Sequence, residues 1–160
     1  MLNIKDWFSK NSSDWSINRD LVEFLLTFLP QDSTILELGS GKGTEILSSI
    51  YKMYSIEENI NFVDIYDSHY IFAPIKDGWY DVDILRKEIS DIKYDAILID
   101  GPAHGERLGF YDWIHLFKTD CVMIFDDIDR PDDLKTMELV SQRVNRECIT
   151  LPDGQTGVIL

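Results

Sequence analysis

The 160-residue chain carries 15 Lys plus Arg against 29 Asp plus Glu, a formal net charge of −14 with neutral histidines. Binding of DNA or RNA rests on clustered basic side chains that neutralise phosphates, so this balance argues against a nucleic-acid partner, and against an anionic membrane surface on the same ground. The length suits one unit over residues 1–160, a helical segment over 1–30 and an α/β core over 31–160, and 44% apolar residues suffices for a packed interior.

The opening MLNIKDWFSK lacks a basic start followed by a long apolar stretch. No window reaches the roughly 20 apolar residues of a membrane span, so the expected compartment is the cytoplasm. Residues 19–29, with Ser16 or Asn18 as the cap, place Leu21, Val22, Leu25, Phe28 and Leu29 at helical spacing and stop at Pro30. Short apolar runs then recur at 34–38, 53–56, 70–72, 94–99, 121–125, 148–151 and 158–160. Between them, residues 44–51, 59–67, 82–91, 109–118 and 132–145 read as helices. This alternation predicts a doubly wound α/β sandwich. The uninterrupted AILI before Asp100 suits a central parallel strand covered on both faces. Only PDGQT separates the last two runs, too short for a parallel crossover, so they should form an antiparallel hairpin turning at Asp153-Gly154. Cys121 and Cys148 each lie in an apolar run and read as reduced core thiols.

The strongest local signal is ILELGSGKGT, residues 35–44: a buried strand carrying Glu37, then Gly39, Gly41 and Gly43, then a helix start. Glycine permits positive φ and lets backbone approach a ligand; the plain alternative is a tight strand-to-helix turn. A dinucleotide fingerprint would place Gly or Ala where Thr44 stands, and no Lys-Ser/Thr pair follows the last glycine as in a P-loop. The surviving pattern, E-x-G-x-G-x-G, resembles the first motif of the class I S-adenosylmethionine (SAM)-dependent methyltransferases.

That resemblance implies a Rossmann-like three-layer sandwich on a seven-stranded, mostly parallel sheet whose last strand is reversed. It also implies SAM as the cofactor, held by Glu37, Gly39, Ser40, Gly41, Gly43, Thr44 and Asp100. MYSIE, residues 53–57, resembles the family's second strand, whose terminal acid accepts the ribose hydroxyls. Glu57 fits that role, Glu58 competes for it, and a solvated helix start is the plain alternative. YDAILIDGPAHGERLGFYDW, residues 94–113, and CVMIFDD, residues 121–127, resemble the fourth and fifth strands with their acidic ends.

Asp100 ends one strand and Asp126 and Asp127 the next, so three carboxylates should meet at one sheet edge, strands lying about 4.8 Å apart. Either protons or a cation must relieve their repulsion, and hard oxygen ligands suit Mg²⁺, Mn²⁺ or Ca²⁺. The three positions resemble those of metal-dependent O-methyltransferases similar to catechol O-methyltransferase. Asp129, Asp132 and Asp133 read as caps of the helix that follows. His104, in a Gly-flanked loop past Asp100, is the candidate base, while His69 and His115 read as structural or exposed. Arg107 would hold an anionic substrate group or pair with a surplus acid.

The expected function is a SAM-dependent methyltransferase acting on a small molecule, at a hydroxyl, with Mg²⁺ or Mn²⁺ assistance. Asp100 and His104 are the catalytic candidates, and Asp100, Asp126 and Asp127 the metal ligands. The competing readings are a cofactor- or partner-binding domain without turnover and, disfavoured by Thr44 and the hairpin, an NAD-dependent oxidoreductase. The acceptor has no signature. Trp7, Phe8 and Trp15 would form either a substrate cover or a contact between copies in a homo-oligomer, and GWYD, residues 78–81, is a further candidate lining of the crevice.

Overall fold

In the computed structural model, which describes residues 4–10, 17–103 and 106–160, helices α1 (Ile4–Lys10) and α2 (Arg19–Phe28) precede strand β1 (Thr34–Leu38). Helix α2 buries Leu21, Val22 and Leu25 and ends just before Pro30, which disfavours helical backbone in the residue ahead of it. There follow α3 (Lys42–Ser48), β2 (Lys52–Glu57), β3 (His69–Phe72), β4 (Ile75–Lys76), β5 (Trp79–Tyr80), α4 (Val82–Glu88) and β6 (Ala96–Ile99). The chain closes with α5 (Gly109–Asp112), β7 (Val122–Phe125), α6 (Pro131–Val144), β8 (Cys148–Thr150) and β9 (Gly157–Ile159).

Seven strands form one sheet in the order β3-β2-β1-β6-β7-β9-β8, and β9 runs antiparallel to both neighbours as the short PDGQT connection requires. Strand β6 lies between β1 and β7 with all four residues buried. Successive side chains of each strand go to opposite faces. Leu36, Leu38, Ile97 and Ile99 therefore join Leu85 and Phe110 in one apolar layer, while Ile35, Ala96 and Leu98 join Leu21, Leu25 and Leu47 in the other. This is the expected three-layer α/β sandwich. Cys121 and Cys148 are both free thiols, the first buried and the second half-buried. Among the described residues, no helix is long and apolar enough to cross a membrane.

The structure corrects three local expectations and adds one hairpin that the alternation does not show. Residues 59–67 form only a 3₁₀ turn at Ile60–Phe62, where the Asn59 side chain accepts from the Asn61 backbone N–H and diverts the chain from a helix. Asp64 then takes φ 62°, and Ile60, Phe62 and Ile65 face solvent instead of the sheet. The hairpin β4–β5 turns at Asp77-Gly78, with φ 54° and 88°, the positive values that a two-residue hairpin turn needs. Residues 109–118 break into the one-turn α5 and a 3₁₀ turn at Ile114–Leu116. Finally, α6 starts at Pro131 behind Arg130, which makes no side-chain cap; Asp132 and Asp133 lie in its first turn, where the helix dipole favours acids.

Candidate functional site

The strand order reverses between β1 and β6, and an open α/β sheet forms its ligand crevice outside the carboxyl ends at such a point. A crevice of about 1160 Å³ lies there, lined by the β1–α3 turn, Glu57, Tyr80, Asp100, Arg107 and the start of α6. The glycines of the turn divide into two kinds. Gly39 has φ 85°, and a Cβ on it would lie 3.0 Å from Gly101 Cα, so the turns after β1 and β6 touch backbone to backbone. A Cβ on Gly43 would collide with Ile17. Gly41 has an extended φ of −176° that any residue adopts, and nothing lies within 4 Å of where its Cβ would be. Neither packing nor backbone geometry requires glycine at position 41, and its missing side chain leaves open space beside the crevice.

Glu37 is buried under this turn. Its Oε2 accepts from Thr44 Oγ1 at 2.8 Å and from Ser55 Oγ at 2.7 Å, and the Thr44 hydroxyl in turn accepts from the Gly41 backbone N–H at 3.0 Å. Thr44, in place of the dinucleotide-type glycine, thus ties the turn to the strand. Burial pushes the Glu37 carboxyl up to about 7, against the two hydroxyl donors and with help from Glu57. Glu57 ends β2. It accepts from the Ser40 backbone N–H at 3.0 Å, the Ser40 hydroxyl at 2.5 Å and the Asn59 backbone N–H at 2.8 Å. Glu58 also lines the crevice.

The other half is built by β6 and β7, paired so that Ile99 lies opposite Phe125. Ligand-type oxygens of the next residues, Asp100, Asp126 and Asp127, lie within 4.8 Å of one another. Arg107 lies against this edge. Its Nη2 donates to the Asp100 carbonyl at 2.8 Å and to Asp127 Oδ2 at 2.9 Å, and stands 3.3 Å from Asp100 Oδ1. Its Nη1 donates to the Asp126 carbonyl at 2.9 Å and lies 3.7 Å from Asp133. Arg130 adds a second cation, 3.0 Å from Asp127.

Burial and the neighbouring Asp126 push the Asp100 carboxyl well above the usual carboxylate range, with Arg107 opposing. Burial and Asp127 raise Asp126 to about 6, with the Asp127 N–H and Arg107 opposing. For Arg107, burial disfavours the charge, and Asp100, Asp133 and Asp127 outweigh it.

Gly39, Ser40, Gly41, Glu57, Asp100, Asp126, Asp127 and Arg107 therefore meet at this crevice, while Glu37 and Thr44 are buried beneath its β1–α3 turn and Gly43 serves the packing there. His104 and Trp15 lie outside the described residues. Trp7 is buried against the α2 and α3 layer and donates to Glu45 at 3.0 Å.

Sequence reasoning passed over Ser55, which the parallel register places opposite Glu37. It also left Tyr80 unsingled within GWYD. Tyr80 is fully buried beside Gly101 and borders the crevice, and its hydroxyl has no hydrogen-bond partner among the described residues. Asp77-Gly78, a hairpin dipeptide in plain view, was the signal that would have placed it.

No protein-family model and no curated protein matches the chain. Solved structures do. The TehB-like SAM-dependent methyltransferase of Corynebacterium glutamicum is 14% identical with a TM-score of 0.55, covering 97% of this chain and 91% of that one. The Bacillus cereus O-methyltransferase in complex with S-adenosylhomocysteine (SAH) is 12% identical with a TM-score of 0.59, covering 98% and 90%. MycE, from the mycinamycin biosynthetic pathway, in complex with Mg, SAH and mycinamycin VI, is 15% identical with a TM-score of 0.57, covering 99% of this chain and 48% of that one. The chain has the fold of the class I SAM-dependent methyltransferases.

Proposed function

We propose that the protein is a SAM-dependent methyltransferase that acts on a hydroxyl group of a small molecule. The observation that carries this reading is the open space beside Gly41, a glycine the fold does not itself require, in a crevice with the Glu57 carboxylate at the end of β2. The unpartnered, buried Tyr80 hydroxyl adds a donor that a ligand would satisfy.

When bound, SAM supplies an electrophilic methyl group on a sulfonium. Glu57 accepts from the ribose hydroxyls alongside Ser40 and Asn59, and the β1–α3 turn gives the nucleoside room. The site's main work is alignment, which turns a two-body displacement into a local one. At the opposite edge, Asp100 is the candidate to take the acceptor's proton, its proton affinity raised by burial; the sequence offers His104 as the second candidate.

The resemblance also implies a divalent ion at Asp100, Asp126 and Asp127. The oxygens converge, yet two of the three carboxylates contact the Arg107 guanidinium. With that cation in place the set does not fit a divalent ion.

Thermal denaturation with SAM, SAH and NAD tests the reading. A ligand at about 100 times its Kd stabilises the folded state by about 2.7 kcal/mol. SAM and SAH should raise the midpoint and NAD should not; stabilisation by NAD alone, or by none of the three, overturns it.

A further inference from the structure

We infer that Arg107 is the resident cation of the acidic edge, holding Asp100 and Asp127 where a divalent ion would otherwise bind and leaving the site independent of metal. The inference rests on the crevice just described and concerns what neutralises it.

Three observations carry it. The first is the contact set. One guanidinium bonds the backbone carbonyls that follow both strands, Asp100 and Asp126, and also approaches the carboxylates of Asp100, Asp127 and Asp133. Planar, multiply donating arginine can span two strand ends in this way, which the point charge of lysine cannot.

The second is that Arg107 is set in place by its loop. Its side chain is only 11% exposed. The preceding Glu106 N–H donates to the Gly78 carbonyl of the β4–β5 hairpin at 2.9 Å, and the following Gly109 lies so close under the Trp79 ring that no Cβ fits. Phe110, fully buried, anchors the start of α5. The arginine is therefore held from both sides of the loop and is not a surface arm that swings in.

The third is steric and electrostatic. A Mg²⁺-type ion sits about 2.1 Å from its oxygens. Nη2 is 2.9 Å from Asp127 Oδ2 and 3.3 Å from Asp100 Oδ1, so an ion sharing those oxygens would press against a like charge.

Arg107 thus acts as a positioning residue: it fixes the two strand ends and their carboxylates, and touches neither cofactor nor acceptor in this account. Asp133 and Arg130, at the start of α6, complete the network.

Mn²⁺ titration followed by electron paramagnetic resonance tests this without reference to turnover. The wild-type protein should show no saturable site at the edge. Arg107→Ala should gain one, binding Mn²⁺ more tightly than wild type by about tenfold or more, because a like charge is removed. Arg107→Lys, which keeps a charge, should stay closer to wild type. Chelator treatment should leave the SAH affinity of the wild-type protein unchanged. A one-to-one Mn²⁺ site in the wild type that Asp126→Asn abolishes, or loss of SAH affinity on chelation, overturns the inference. These wild-type measurements decide the matter even if Arg107→Ala does not fold. Absence of SAH binding would instead refute the methyltransferase reading and leave the Mn²⁺ result standing.

Discussion

The two halves of the crevice solve the same problem differently. Glu37, within β1, and Glu57, at the end of β2, are satisfied by hydroxyls and backbone N–H groups, with no basic side chain among the described residues that bond them. After β6 and β7, the Asp100 and Asp127 carboxylates are met by Arg107 and Arg130, while Asp126 gives its backbone carbonyl to Arg107 and its carboxylate to the Asp127 N–H. Neutral donors can be shared with a polar ligand, because a carboxylate has about four lone-pair sites and keeps its fold-stabilising bonds while accepting more. A guanidinium locked across two strand ends is not shared so easily. The β1–β2 half is therefore suited to receiving a nucleoside, and the β6–β7 half is internally compensated.

Removing Arg107 should break that comparison with the largest effect. Leaving a buried ionic network without its cation costs about 3–5 kcal/mol, discounted here to about 2 because Asp100 and Asp127 remain roughly a quarter to a third exposed. Arg107→Ala should then lower the melting midpoint by about 4–8 °C, measured calorimetrically, and added Mn²⁺ should recover part of the loss. An unchanged midpoint would mean the β6–β7 half is not held by this cation.

Glu57→Gln keeps an acceptor oxygen for Ser40 but loses the charge, and should weaken SAH binding by about tenfold with a small change in melting. Equal SAH affinity in the variant would remove Glu57 from the nucleoside half.

The smallest effect concerns pH. Glu37 has its carboxyl raised from 4.5 to about 7, so between those values the folded state retains a proton that the unfolded chain has released. Stability from this group is fully present below about pH 4.5 and falls as pH rises to about 7. Glu37→Gln should flatten the midpoint-versus-pH curve across that window; a curve parallel to that of the wild type would show that Glu37 is ionised throughout.

Much of this was legible in the sequence, for physical reasons. The α/β sandwich followed from alternation, and the reversed last strand from a five-residue connection that no crossover fits. The meeting of Asp100 with Asp126 and Asp127 followed from strand ends in register. Pairing of Arg107 with a surplus acid was one of its two sequence readings, whereas the cation expected among the three carboxylates was a divalent metal ion. Arg107 follows Asp100 by only seven residues, yet its reach depends on a hairpin and an aromatic ring, Gly78 and Trp79, that no local period reveals.

Residues 59–67 misled because Ile60, Val63 and Tyr66 mimic helical spacing, whereas the Asn59 turn and the left-handed Asp64 leave their neighbours in solvent. Ser55 was hidden for a different cause: a serine inside a strand looks like a packing defect until the register sets it against Glu37.

The central claim is that the space beside Gly41 belongs to a methionine-derived nucleoside. Isothermal calorimetry with SAH, run on the wild type and on Gly41→Val, tests it most directly, since a valine there meets no protein atom within 4 Å of its Cβ and needs no strained backbone. The wild type should give saturable heat, and the variant an affinity weakened by about tenfold or more with its melting midpoint nearly unchanged. No heat with the wild type, or equal affinity in both proteins, would contradict it.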